Sequence, residues 1–188
     1  MLLNNIGPIL FLDALALVSG VLAVWLTVRK NIACWPLGIV SVSLQGFRFF
    51  QNKLYADALL QLLYVCLGAY GWMRWYKGKT QTPLHNFFKH RTRALALAGM
   101  LWPLLYSLLI CFNGARPIMD SGLTAFSIVA TLFAVQKNAF NWLLWTGIDA
   151  VYVVLFLKQA LWPYAALYGF YTILALWGFY TWTRQKTV

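Results

Sequence analysis
The chain has 188 residues, of which 62% are hydrophobic and only 10% charged, against roughly 25% charged in a typical soluble domain. That much apolar surface does not fit inside one water-facing core, so the composition excludes an ordinary soluble domain and points to lipid as the solvent. The formal net charge of +11 comes from fifteen Lys and Arg against four Asp. A soluble protein with that excess would suggest nucleic acid, but here the basic residues sit in short breaks between apolar runs, where they face anionic headgroups.

A bilayer-spanning helix needs about 20 mostly apolar residues. Seven segments meet that length, at 9–28, 34–51, 55–75, 94–113, 119–136, 139–157 and 161–182. The first lacks a basic leader and is long enough to stay in the membrane, so it reads as a retained span. The breaks are short except for 76–93 (KGKTQTPLHNFFKHRTRA), which is basic and polar and is expected in water, with His85 and His90 solvated. The fold class is therefore an all-α membrane protein of seven transmembrane helices. It forms one membrane domain over 1–188.

Orientation follows from the charges. With seven spans, the breaks near 30, 76–93 and 137 share a side with the C-terminus. That side holds eleven basic residues, including Arg29, Lys30, Arg74, Lys77 and Lys137, and the other holds Arg48, Lys53, Arg116 and Lys158. The bias places the C-terminus in the cytoplasm and the N-terminus outside.

The chain also repeats itself. At an ungapped offset of 107 residues, VRKNIACWPL from Val28 lies over VQKNAFNWLL from Val135. Over 13–75 against 120–182 there are 15 identities in 63 positions, where composition alone would give about five, so a duplication is the better explanation. The matches include Asp13 with Asp120, Trp35 with Trp142, Tyr64 with Tyr171, Gly71 with Gly178 and Trp75 with Trp182. A first three-helix repeat spans 9–75 and a second spans 119–182. Between them, 76–118 holds the basic loop and one unmatched linker helix. One span between the repeats makes them parallel, a 3+1+3 plan with an axis along the membrane normal, as in the SWEET carriers. Two such bundles are expected to enclose a central site.

All four carboxylates fall in or at the ends of apolar segments. An ionisable group inside a membrane costs at least about 2.5 kcal/mol, so it faces a cavity or a partner. Asp149, mid-way along the sixth segment in WTGIDAVYV, reads either as a contact to a polar or cationic substrate or as a protonated or hydrogen-bonded contact between helices. Asp13 and Asp120 are repeat equivalents and suit a structural role, such as capping or pairing with Arg116. Asp57, at the start of the third segment, suits a helix N-terminus. Gln45, Gln61, Ser41 and Ser43 in the first repeat and Thr146, Tyr152, Tyr168 and Tyr171 in the second are polar groups within spans. They can line a cavity or bridge helices. Gln45 is the repeat equivalent of Tyr152, and Gln61 of Tyr168. Trp142 and Trp145, about one turn apart on the segment of Asp149, can stack on a flat cationic ring or simply pack. Trp75, Trp102, Trp162 and Trp182, near segment ends, read as interfacial anchors. Cys34, Cys66 and Cys111 read as small apolar fillers, neither a disulfide framework nor a zinc site. No P-loop is present, and no acid/base or nucleophile constellation of an enzyme is visible.

The strings FFQNKLYADALLQLLYVCLGAYGW (49–72), with CWPLGIVSV before it, and NWLLWTGIDAVYVVLFL (141–157) resemble the two half-signatures of the PnuC family of vitamin transporters. The resemblance covers both repeats. It implies a SWEET-related fold in a bacterial inner membrane and uptake of nicotinamide riboside by facilitated diffusion. It also implies trapping of the substrate through phosphorylation by a cytoplasmic kinase, with no bound cofactor, metal or nucleic acid. PnuT relatives take up thiamine, and members can form homotrimers. Nicotinamide riboside and thiamine are both flat cations, so a carboxylate suits either. The matching substrate-binding positions are Gln45, Gln61, Asn141, Trp142, Trp145 and Asp149, and Tyr152 and Tyr168 are candidates as repeat partners of the two Gln. Proton coupling through Asp149 is the rival mechanism. A binding subunit that hands vitamin to an ATP-driven module is the rival of another class.

Overall fold
A computed structural model describes residues 6–78, 87–112 and 117–184. All the regular structure among them is helical, in seven helices: α1 (Ile6–Val28), α2 (Cys34–Gln51), α3 (Tyr55–Tyr76), α4 (Phe87–Cys111), α5 (Pro117–Val135), α6 (Phe140–Lys158) and α7 (Trp162–Arg184). Six of these agree with the expected segments to within a few residues. The exception is α4, which begins at Phe87 instead of 94. Nothing after Pro83 in FFKHRTRA breaks a helix, so the basic stretch continues the apolar one. The first turns of α4 are amphipathic: His90, Ala94 and Ala98 are buried at four-residue spacing, while Arg91 and Arg93 are exposed. Four of the helices, α1, α4, α5 and α6, contain stretches both long and apolar enough to cross a membrane by composition alone. The other three carry groups that lower hydropathy: Gln45 and Arg48 in α2, Asp57, Gln61 and Arg74 in α3, and several Tyr and Trp in α7.

The chain divides into two compact units, Met1–Tyr76 and Lys77–Val188. In the first, α2 packs against both α1 and α3. The α1–α2 contact carries polar bonds: Ser41 Oγ donates to the Ala16 carbonyl at 2.7 Å, and Gln45 Nε2 donates to Ser41 Oγ at 3.1 Å. Arg48 Nε donates to Asp13 Oδ1 at 3.0 Å. Asp13 is thus held within its own repeat. Arg116, its expected partner, lies outside the described residues. The α2–α3 contact is a close antiparallel approach. A Cβ added at Gly46 would meet Gln61 Cβ at 3.0 Å, one at Gly68 would meet Ile39 Cγ1 at 2.8 Å, and one at Gly71 would overlap the Trp35 ring.

In the second unit the helices pack in series, α4 on α5, α5 on α6 and α6 on α7. Helix α5 lies between two neighbours and is buried along most of its length, including Ala125, Val129 and Ala130. Its hydroxyls turn back on their own helix: Ser121 Oγ bonds the Pro117 carbonyl, and Ser127 Oγ the Leu123 carbonyl at 2.8 Å.

The 107-residue offset that aligns the sequences also aligns backbone detail. Helix α1 ends with Lys30 at φ 53° and α5 with Lys137 at φ 49°. The amide of Lys30 bonds the Thr27 carbonyl at 2.9 Å and that of Asn31 bonds Leu26 at 3.0 Å. Lys137 and Asn138 bond Ala134 and Phe133 at the same two distances. This is the Schellman pattern, in which a left-handed residue lets two amides satisfy the last carbonyls of the helix. Helices α2 and α6 end the same way, at Lys53 (φ 61°) and Ala160 (φ 56°). After the first pair of turns, Asn31 Oδ1 accepts from the Ala33 amide and Asn138 Oδ1 from the Phe140 amide, both at 2.9 Å.

The side-chain packing repeats too. Trp35 meets Trp75 edge-on at 5.4 Å and 88°, and Trp142 meets Trp182 at 5.4 Å and 86°. Each of the first-named rings occupies the space where Gly71 or Gly178 has no side chain. Trp75 and Trp182, expected as interfacial anchors, are therefore buried packing residues, whereas Trp162 is 66% exposed and Trp102 donates to the Ile118 carbonyl at 3.2 Å. Cys34 is buried as a filler, while Cys66 and Cys111 are exposed, and none of the three forms a disulfide.

Candidate functional site
The most polar feature inside the second unit is on α6. Trp145, Asp149, Tyr152 and Phe156 follow one another at spacings of four, three and four residues, which keeps them on one side of a helix. Tyr164, Tyr168 and Tyr171 do the same on α7. The two rows meet. Tyr152 and Tyr168 have ring centroids 4.7 Å apart, and Phe156 lies 5.3 Å from Tyr168 and 5.4 Å from Tyr164. Tyr168 and Tyr171 stand perpendicular at 5.9 Å. Asp149 lies at the head of this aromatic wall, 5% exposed. Its carboxyl is within electrostatic reach of the Tyr168 and Tyr171 hydroxyls. No hydrogen bond or ion pair among the described residues involves it, so neither a cap nor a cation among them accounts for its burial. A buried carboxyl bordered by aromatic faces has the chemistry to hold a flat cation: opposite charge on one side and ring quadrupoles on the other.

The remaining candidates of the second unit divide into two neighbourhoods. Trp145 is half-buried against the apolar cluster of Leu123, Ala130 and Ile148, which Tyr152 also touches. Trp142 faces the other way, onto Gly178 and Trp182 of α7, and its indole Nε1 is buried with no acceptor. Asn141 beside it is fully buried. Its Nδ2 donates to the Asn138 carbonyl at 2.7 Å, while its Oδ1 has no donor. The two Trp thus have different surroundings despite standing one turn apart.

His90 departs from its expected solvated position. It is 5% exposed, with its ring 5.8 Å from Phe133 and 6.4 Å from Phe140, and with Asn138 Nδ2 3.4 Å from its ring nitrogens. Burial follows from the early start of α4, which puts position 90 on the same helical face as Ala94 and Ala98. His85 lies outside the described residues.

In the first unit, Gln45 and Gln61 come to the same level, because Gly46 lets α3 approach α2 at Gln61. Gln45 is exposed and hydrogen-bonded to Ser41, and Gln61 is half-buried. Two contributors to polar structure were not legible as such. Arg48 had been counted only as a loop charge, although it and Asp13 both sit toward the outer ends of their segments. Asn138 had no signal beyond its identity with Asn31.

Residues 10–184 match the family described as nicotinamide mononucleotide transporter. Among curated proteins, the chain is similar to the nicotinamide riboside transporter PnuC of Escherichia coli (strain K12), 26% identical with 93% of this chain and 86% of that protein aligned. It is also similar to the nicotinamide riboside transporter PnuC of Neisseria mucosa, 25% identical with 95% of this chain and 74% of that protein aligned. Among solved structures, the crystal structure of the vitamin B3 transporter PnuC superposes with a TM-score of 0.75 at 22% identity, over 93% of this chain and 81% of that one, and so shares the fold.

Proposed function
We propose that this chain, which belongs to the nicotinamide mononucleotide transporter family, carries nicotinamide riboside across the bacterial inner membrane, with its C-terminus in the cytoplasm. The observation that carries the reading is Asp149, a buried carboxyl with no hydrogen bond or ion pair among the described residues, beside Tyr152, Tyr168 and Tyr171. The carboxylate balances the pyridinium charge, and the tyrosine faces and hydroxyls border the ring and ribose. Asn141, Trp142 and Trp145 of the same unit are further proposed substrate contacts, and Gln45 and Gln61 are proposed contacts of the first unit. The amide oxygen of Asn141 and the indole N–H of Trp142 are a buried acceptor and a buried donor with no partner among the described residues.

Passive transport fits the residues better than proton coupling. No second buried acid stands beside Asp149 among the described residues of its unit to hand a proton on. Net accumulation then requires a cytoplasmic kinase that phosphorylates the riboside and so blocks its return. Assembly as a homotrimer belongs to the same proposal.

The test is calorimetric titration of the purified protein with nicotinamide riboside and, separately, thiamine. Nicotinamide riboside should bind saturably, and D149N should weaken it by at least about tenfold, which corresponds to about 1.4 kcal/mol, while leaving the melting temperature near that of the parent. Preference for thiamine would move the substrate to the thiamine-type branch. Full affinity in D149N would remove Asp149 from the site.

A further inference from the structure
The first unit has a polar atom that the transport reading does not use. Arg74 lies in the last turn of α3, and its Nε is buried with no acceptor. A guanidinium stays charged and offers five donors, and that N–H has no acceptor among the described residues. The first unit has no acid to supply it. Asp13 sits near the start of α1, paired with Arg48, and Asp57 is in the first turn of α3, at the opposite end from Arg74. At Arg74's own end the neighbours are cationic. The T-shaped contact of Trp35 with Trp75 brings the start of α2 against the end of α3. The turn leading into α2 carries Arg29 and Lys30, and Lys77 follows α3 directly. Arg29 is held with its guanidinium 4.0 Å above the Trp25 ring.

A second feature leads to the same place. Leu59, Leu62, Leu63, Cys66, Tyr70 and Met73 form an outward stripe along α3, spaced at three and four residues, that ends at exposed Lys77. Beside its end, Trp72 is 44% and Tyr76 83% exposed, amphipathic rings of the type that lie at headgroup level. Apolar stripe, aromatic level and the cations Arg74 and Lys77 stand in the order of acyl chain, glycerol backbone and phosphate.

We propose that the end of α3 is a binding site for one anionic phospholipid, with Arg74 and Lys77 on its phosphate and the outward stripe of α3 along an acyl chain. A diester phosphate pairs with the outer donors of this half-buried guanidinium, and guanidinium–phosphate pairing is the strong, directional kind. The site does not depend on which solute is carried.

Full-length protein in nanodiscs of mixed phosphatidylglycerol and phosphatidylcholine, released into detergent and weighed by native mass spectrometry, tests this. The parent should retain phosphatidylglycerol in preference to phosphatidylcholine. R74Q and K77Q should each reduce that retention by about fivefold, and K158Q, at the far end of α6, should not. Size-exclusion and near-ultraviolet dichroism establish that R74Q is folded. If it is not, K77Q carries the test, because its side chain is exposed and supports no packing. Equal retention of the two lipids, or undiminished phosphatidylglycerol in K77Q, overturns the proposal. Displacement of the lipid by inorganic phosphate at matched concentration overturns it as well, because the site would then be one for soluble anions.

Discussion

At the scale of single residues, charge alone does not decide what a polar group inside the membrane does. Asp13 and Asp149 are both acids in apolar helices, yet Asp13 has Arg48 at 3.0 Å and is half exposed, while Asp149 has no ion-pair partner among the described residues and is 5% exposed. The first is a structural pair with modest energetic weight, since exposed ion pairs contribute about 0.2–1 kcal/mol. A double-mutant cycle of D13N and R48Q, followed by thermal unfolding in detergent, should give a coupling energy in that range and leave substrate affinity unchanged. The second should respond the other way, losing affinity with little change in stability. That Asp149 would be unusual was legible from its place in mid-span. That Arg48 would be the partner of Asp13 was not, because pairing across 35 residues depends on how α1 and α2 face each other.

At the scale of helices, the Trp–Gly contacts govern how closely α2 lies on α3 and α6 on α7. A methyl at Gly71 or Gly178 would overlap the Trp35 or Trp142 ring, and each ring is itself pinned by a second Trp. Overpacking of this kind costs about 1–3 kcal/mol. G71A and G178A should therefore lower the unfolding temperature by similar amounts, whereas G169A, with nothing within 4 Å of the added Cβ, should leave it nearly unchanged. The helix ends allow a change of opposite sign. Ala160 holds a left-handed conformation at φ 56° that costs an L-residue about 1–2 kcal/mol. A160G should raise stability by about 1 kcal/mol in the same assay, part of the relief being offset by the greater freedom of glycine when unfolded. The glycine pair was visible as a repeat identity. Its reason was not, since a sequence does not say which ring fills the place of a missing side chain.

At the scale of the whole chain, the two sides differ in charge by eleven basic residues to four, a bias that orients membrane proteins. A single cysteine appended after Val188, in a background with Cys34, Cys66 and Cys111 replaced by Ala, should resist a membrane-impermeant maleimide in intact cells and react after permeabilisation. Labelling in intact cells would reverse the proposed orientation. In the proposed orientation Arg29, Lys30, Arg74 and Lys77 face the leaflet richest in anionic lipid, the setting that the proposed phospholipid site at the end of α3 requires.

Length, hydropathy and self-similarity determined by themselves that this protein is built of seven long helices, and they located six of the seven to within a few residues. These properties are local: lipid demands an apolar run of fixed length, and a duplicated sequence carries its turns with it, down to the left-handed Lys30 and Lys137. Only the tertiary structure decided that α4 starts a full turn and more before its apolar run, that His90 is buried beside Phe133 and Asn138, and that Trp75 and Trp182 face inward. Each of these depends on which neighbour covers a given helical face. Burial against a neighbour is a property of pairs of helices, and no single stretch of sequence contains it.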